Sequence, residues 1–156
     1  MCAQSCLAKE GKYLTFELGK EDYGLEILKV REIIGIMSIT SVPQVPAHVK
    51  GVINLRGRVI PVIDLRLKFG MPSIATTPET CIIIINLKEV LIGIMIDKVK
   101  EVLDIKQDKI EGVPNFGANV HADYILGIGK VNDSIKILLN IEKVLGEDLA
   151  MESKTT

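Results

Sequence analysis

The sequence predicts an all-β protein, and three features carry that reading. Apolar residues make up 47% of the chain and are mainly Ile, Val and Leu, whereas aromatics are 4% and tryptophan is absent. Such a β-branched, aliphatic composition suits pleated strands. Several short stretches alternate apolar and polar residues, the period of a half-buried strand. Turn residues interrupt them at short intervals, the rhythm of a barrel or sandwich.

Residues 1–12 read as a frayed polar tail, and residues 150–156 as another. Residues 13–18 alternate cleanly, with Leu14, Phe16 and Leu18 on one face and Tyr13, Thr15 and Glu17 on the other. Gly19-Lys20-Glu21-Asp22 makes a turn, and Tyr23, Leu25 and Ile27 lead back. Alternation breaks at Ile27-Leu28; Ile27, Val30 and Ile33/Ile34 then follow at helical spacing, which predicts a helical turn there. Val42-Pro43-Gln44-Val45-Pro46 is excluded from any central strand because each proline lacks a ladder donor.

Residues 51–56 and 59–63 are strands around a tight turn at Gly57. Asp64 is placed to cap a short helix over 65–69, with Gly70 at the left-handed position that ends it and Pro72 preventing continuation. A Pro/Thr-rich stretch, 72–78, is an internal linker. Strands 82–87 and 90–96 form a hairpin around Lys88-Glu89, and strands 125–131 and 135–139 another around Asn132-Asp133. Asn140 caps a C-terminal helix whose apolar stripe is Ile141, Val144, Leu145 and Leu149.

The sequence also contains itself twice. The segment from Gly24 to Ile33, GLEILKVREI, lines up with that from Gly93 to Val102, GIMIDKVKEV. Val62-Ile63-Asp64-Leu65, ending at Gly70, matches Leu138-Leu139-Asn140-Ile141, ending at Gly146. The extra residues of the second copy fall in the loop 105–122. Two copies are too few for a solenoid, so the pattern is a duplicated subdomain, roughly 13–72 and 79–149, with chain ends free to cross between them. Pseudo-twofold packing would bring segments 27–34 and 96–103 together, with Val30, Ile33, Val99 and Val102 lining a groove and Glu32 and Glu101 on its rim. Two readings stand: an ordinary core between subdomains, or an aliphatic groove that takes a partner helix.

Several function classes are excluded by what is missing. Net charge is −1 and there are only three Phe and three Tyr, so neither a phosphate-binding surface nor base-stacking aromatics are available for nucleic acid. The longest apolar run, Cys81 to Ile85, is far short of a membrane span. Cys2, Cys6 and Cys81 are an odd set with no secretory segment, pointing to a reducing compartment, and no further ligands make a metal site of Cys2 and Cys6. No Walker A spacing, His-Glu-x-x-His or nucleophile elbow occurs, and Gly127-Ile128-Gly129-Lys130 reads as a strand rich in small residues. His48 and His121 read as loop surface residues. No catalytic residue, metal or cofactor is therefore expected. A small-ligand-binding β-barrel regulator is the alternative, but it needs an enclosed pocket with convergent polar groups, whereas the inward residues are aliphatic.

The segment from Gly51 to Gly70, GVINLRGRVIPVIDLRLKFG, closely resembles the hallmark of the CheW-like coupling-protein family of bacterial chemotaxis. Tyr23-Gly24 with Ile27 and Val30-Arg31-Glu32-Ile33 is similar to its upstream motif, and Gly93 with Asp97-Lys98-Val99 to its downstream one, so that the resemblance runs over about residues 12–147. It implies two five-stranded SH3-like β-barrel subdomains about a shared core, in a domain spanning 13–149, with short helices and no enzymatic activity. It implies a cytoplasmic adaptor, recruited to membrane-associated receptor clusters, that joins chemoreceptor helical-hairpin tips to the regulatory domain of the histidine kinase CheA. Carried across by motif, Val30, Glu32, Ile33, Val99 and Val102 are the receptor-side candidates. Arg56 looks like the family's functionally sensitive arginine, either a partner contact or a charge-assisted anchor at the barrel junction. Gly24, Gly51, Gly57 and Gly93 are the structural glycines. The same module also occurs within the kinase and fused to receiver domains; with Met1 starting the chain and nothing flanking the module, a free-standing adaptor is expected.

Overall fold

In a computed structural model, which describes residues 9–113, 122–146 and 148, alternating and turn-bounded stretches become eleven strands among those residues. They are β1 (Gly11–Leu18), β2 (Glu21–Glu26), β3 (Val30–Gly35), β4 (Val49–Leu55), β5 (Arg58–Asp64), β6 (Cys81–Leu87), β7 (Val90–Ile96), β8 (Lys98–Ile105), β9 (Ile110–Glu111), β10 (Ile125–Val131) and β11 (Ser134–Leu139). Two four-residue helices, α1 (Leu65–Lys68) and α2 (Ile141–Val144), follow β5 and β11. The tail expected to end at residue 12 gives way to strand already at Gly11. The segments 1–8 and 150–156, together with His121, Leu149, Cys2 and Cys6, lie outside the described residues.

Local chemistry dictates the connections. Lys88-Glu89 and Asn132-Asp133 both take positive φ at both positions, the primed turn whose twist matches paired strands. Arg56 (φ 51°) and Gly57 (φ 86°) do the same between β4 and β5. Asp64 accepts a hydrogen bond from the Leu67 N–H and Asn140 one from the Lys143 N–H, each at 3.3 Å, so the two copies cap their helices alike. The helical turn expected over 27–34 is confined to a 3-10 turn at Ile27–Lys29. Val30 onwards is strand instead, because Val30, Glu32, Ile33 and Ile34 pair antiparallel with β6.

The strands form a six-stranded sheet, β8-β1-β2-β11-β10-β9, and a five-stranded sheet, β3-β6-β7-β5-β4. Under the internal repeat the first five strands of the former match the latter one for one; the sixth is the two-residue β9, which lies in the longer loop of the second copy. Each sheet mixes the copies. The β1–β2 hairpin of the first copy sits with β8, β10 and β11 of the second, and the β6–β7 hairpin of the second with β3, β4 and β5 of the first. The sheets therefore cut across the contiguous subdomains 13–72 and 79–149. Contacts divide the chain accordingly: one unit takes in the residues up to Thr15, Lys20–Ile27 and the chain from Lys100, the other Phe16–Gly19 and Leu28–Val99.

The first unit has a core of Tyr13, Ile105, Ile110, Leu126 and Leu138. The second has Ile53, Ile60, Val62, Ile82, Ile84 and Met95. At one place in each sheet a glycine sits in a parallel rung: Gly24 beside Leu138, and Gly93 beside Val62. A Cβ at Gly24 would lie 2.8 Å from Leu138 Cδ2, and one at Gly93 2.7 Å from Ile82 Cγ2. Gly51 is tighter still, since the chain leaving β3 bonds back to β4 through Thr40 and Val52, with both N–H to O distances 2.9 Å. A Cβ at Gly51 would be 2.0 Å from the Thr40 carbonyl oxygen.

Gly93→Ala should cost about 1–3 kcal/mol through this overpacking, read as a lowered denaturation midpoint. Gly35→Ala, where a Cβ meets nothing within 4 Å, should stay within about 0.5 kcal/mol of wild type. Equal effects from the two would contradict the close approach.

Candidate functional site

The two sequence segments singled out by the repeat become outer strands. β3 ends the five-stranded sheet and pairs only with β6 in it; β8 ends the six-stranded sheet beside β1. An outer strand has one ladder partner, so one row of its backbone N–H and C=O groups is left unpaired within the sheet. Along β3 exposure alternates strictly, with Val30, Glu32 and Ile34 half-buried and Arg31 and Ile33 exposed. On β8, Val99 and Leu103 are half-buried, whereas Lys98, Lys100, Glu101, Val102 and Asp104 are exposed. The repeat pairs these environments: Val30 with Val99, both half-buried, and Ile33 with Val102, 43% and 48% exposed.

Glu32 and Arg56 are brought together. Arg56, in the left-handed conformation at the tip of the β4–β5 hairpin, donates from Nη2 to Glu32 Oε2 on β3. Asn54 Oδ1 accepts from the Gly57 N–H at 2.8 Å and holds the tip. The arginine side chain is 68% exposed. An ion pair this open contributes about 0–1 kcal/mol. Arg56 is therefore an exposed charge paired with Glu32.

Asp97, part of the motif Asp97-Lys98-Val99, has a structural task. Its carboxylate takes two bonds from Arg66 of α1, at 2.8 and 2.7 Å, and one from the Gly19 N–H at 2.8 Å. Burial works to raise its carboxyl, but these donors and the guanidinium charge outweigh it and hold the group below its ordinary value. In the other unit Asp22 plays a similar part, with Lys136 at 2.5 Å and Lys100 at 3.2 Å. Burial again opposes, and the two ammonium groups again prevail to lower its carboxyl.

Further residues stand out that the spacing arguments passed over. Leu28 is 93% exposed, at the point where alternation fails; that break was its only signal. Val59 on β5 and Ile135 on β11 are 67% and 61% exposed and hold the same place in the two copies, so the repeat could have nominated them. His48, expected at the surface, is half-buried, and its carbonyl accepts from the Asp64 N–H at 2.7 Å. Cys81 is half-buried and burial pushes its thiol up, away from the reactive thiolate.

The described residues contain no helix long and apolar enough to cross a membrane. An open cleft of about 830 Å³ lies between the turn at Gln107–Lys109 and the β10–β11 hairpin. Its walls are charged, with Asp104, Lys106, Asp108, Lys109, Lys130 and Asp133. Being open, it is unlike the enclosed pocket that a small-ligand regulator needs.

A family model described as CheW-like domain matches residues 12–149. The chemotaxis protein CheW of Klebsiella aerogenes is 38% identical over 141 residues, covering 90% of this chain and 85% of that protein. That of Helicobacter pylori is 37% identical over 138 residues, covering 88% and 82%. The crystal structure of the scaffolding protein TtCheW from Thermoanaerobacter tengcongensis superposes with a TM-score of 0.80 at 34% identity, over 87% of this chain and 92% of that one.

Both lowered carboxyls contribute stability that is complete above their ordinary value of 3.8 and is lost as pH falls through the depressed folded values. Between about pH 7 and about pH 3 the wild type should lose more stability in urea denaturation than Asp97→Asn, whose amide takes up no proton. Equal losses would remove Asp97 as a source of the acid sensitivity.

Proposed function

The chain belongs to the CheW-like domain family, and from that premise we propose that it is a non-enzymatic chemotaxis adaptor. It couples the cytoplasmic tips of chemoreceptors to the histidine kinase CheA, working in the cytoplasm at membrane-associated receptor clusters. The observation that carries this reading is the pair of outer strands, each offering a half-buried valine, Val30 or Val99, and an exposed aliphatic residue, Ile33 or Val102. A receptor tip is a helical hairpin, and a helix presents ridges of apolar side chains that exposed aliphatics such as Ile33 and Val102 can meet.

Val30, Glu32, Ile33, Val99 and Val102 form the receptor-side set in this reading, and Leu28 joins them by its exposure and its place directly before β3. Arg56 is a partner contact, oriented by Glu32. Exposed aliphatics away from the outer strands, Val59 and Ile135, are the candidates for the kinase regulatory domain.

Val99→Asp should weaken binding of a soluble receptor hairpin fragment by about tenfold or more, while binding of the kinase regulatory domain changes by less than about twofold. Loss of both affinities together with a lowered melting temperature would mean that the valine is merely core. Arg56→Asn keeps a side chain that suits the left-handed turn. It should alter stability by less than about 1 kcal/mol yet impair assembly of the three-component complex in pull-down. Assembly at wild-type level would make the arginine dispensable.

A further inference from the structure

We infer that Thr15 and Asp22 are positioning residues for β8, clamping its Lys100–Glu101 step so that Val102, the next residue, faces the receptor; the inference rests on the adaptor reading above.

Two clamps converge on that step. Thr15, fully buried on β1, donates its hydroxyl to the Glu101 carbonyl at 2.7 Å and accepts from the Glu101 N–H at 3.1 Å. One side chain thus engages both backbone groups of a single residue on the outer strand. Asp22, on β2, holds the Lys100 ammonium at 3.2 and 3.3 Å from its two oxygens. The carboxylate is itself fixed by Lys136, a buried lysine directly opposite it in the parallel β2–β11 pairing. Backbone and side chain of consecutive residues are therefore tied from different strands.

The duplication supplies the comparison that separates fold from function. In the five-stranded sheet Thr15, Asp22 and Lys136 correspond to Ile84, Leu91 and Ile60. Ile84 and Ile60 are buried, and Leu91 half-buried, in an intact sheet. Apolar side chains at these three places are thus compatible with the architecture. Burying a charged pair costs desolvation that an apolar pair avoids, so stability alone does not account for the polar set. What the polar set adds is direction: a hydroxyl and a carboxylate fix a strand at defined atoms, whereas isoleucine and leucine only fill volume. On β3 the matching step carries a register shift between Val30 and Glu32, and there Arg56 takes hold of Glu32. Each outer strand is pinned at this step, by different means.

The test uses the full chain and four variants. Thr15→Val removes the hydroxyl at constant volume. The double variant Asp22→Leu/Lys136→Ile installs the apolar pair of the other copy and leaves no buried charge. Thr15→Ser restores the hydroxyl. The double variant should melt like wild type or higher and Thr15→Val only modestly lower, since it unpairs the Glu101 backbone groups. Both should bind the kinase regulatory domain unchanged, yet bind the receptor hairpin fragment about tenfold more weakly, the worth of one lost charged or backbone hydrogen bond. Amide exchange at Glu101 should quicken in Thr15→Val and return in Thr15→Ser. Folded variants that bind the receptor fragment as wild type does would overturn the inference, as would parallel loss of both affinities. Val102→Asp separates the premise: if it binds the receptor fragment normally, the receptor role of β8 itself fails. If it loses binding while the clamp variants do not, only the positioning role fails.

Discussion

Each sheet is organised around a parallel rung, β2 against β11 and β5 against β7, and a parallel pair cannot be closed by a hairpin. A chain that duplicates a strand set and keeps such a rung must send one strand of the pair from elsewhere in the sequence. Here the two copies supply each other: β1–β2 goes to the sheet of the second copy and β6–β7 to the sheet of the first. Gly24 and Gly93 sit in those rungs, where Leu138 and Ile82 leave no room for a Cβ.

From that constraint the positions of the functional candidates follow. The parallel pair lies within each sheet, and β3 and β8 each stand at one end, beside β6 and β1. Open edges invite unwanted pairing, and the charges they carry, Arg31 and Glu32 on β3, Lys98, Lys100, Glu101 and Asp104 on β8, discourage it. Several of those charges are held by neighbours: Glu32 by Arg56, Lys98 by Glu79 and Lys100 by Asp22. The aliphatic side chains between them are thus offered beside locally balanced charge, which suits contact with an apolar ridge more than with a strongly charged surface.

What could be read in advance was local. Lys88-Glu89 and Asn132-Asp133 lie between alternating stretches, and Asp64 and Asn140 stand directly before short apolar helices, so turn and cap chemistry fixed those elements. β8 was not legible as a strand, because exposure on both faces of an outer strand erases the alternation by which strands are recognised. The duplication left room for chain ends to cross between subdomains, but which strands exchange was hidden. β5 pairs with β7 across an intervening hairpin strand, and nothing in either stretch names its partner. Asp97 was visible as part of a motif, but its work depends on Arg66 and Gly19, which are remote in sequence. Leu28 was passed over since a single exposed leucine has no period.

The crossed strands also have a consequence during synthesis. The β1–β2 hairpin leaves the ribosome ahead of the later strands, with Tyr13, Leu14 and Leu25 ready for burial in the first unit, but its parallel partner β11 ends only at Leu139. At about 5–20 residues per second that strand arrives roughly ten seconds later. The five-stranded sheet needs nothing beyond β7, so it can close while the first hairpin still waits. The nascent chain therefore holds its earliest apolar strand open longest, and the cell's capacity to shield that strand bears directly on how much adaptor it obtains.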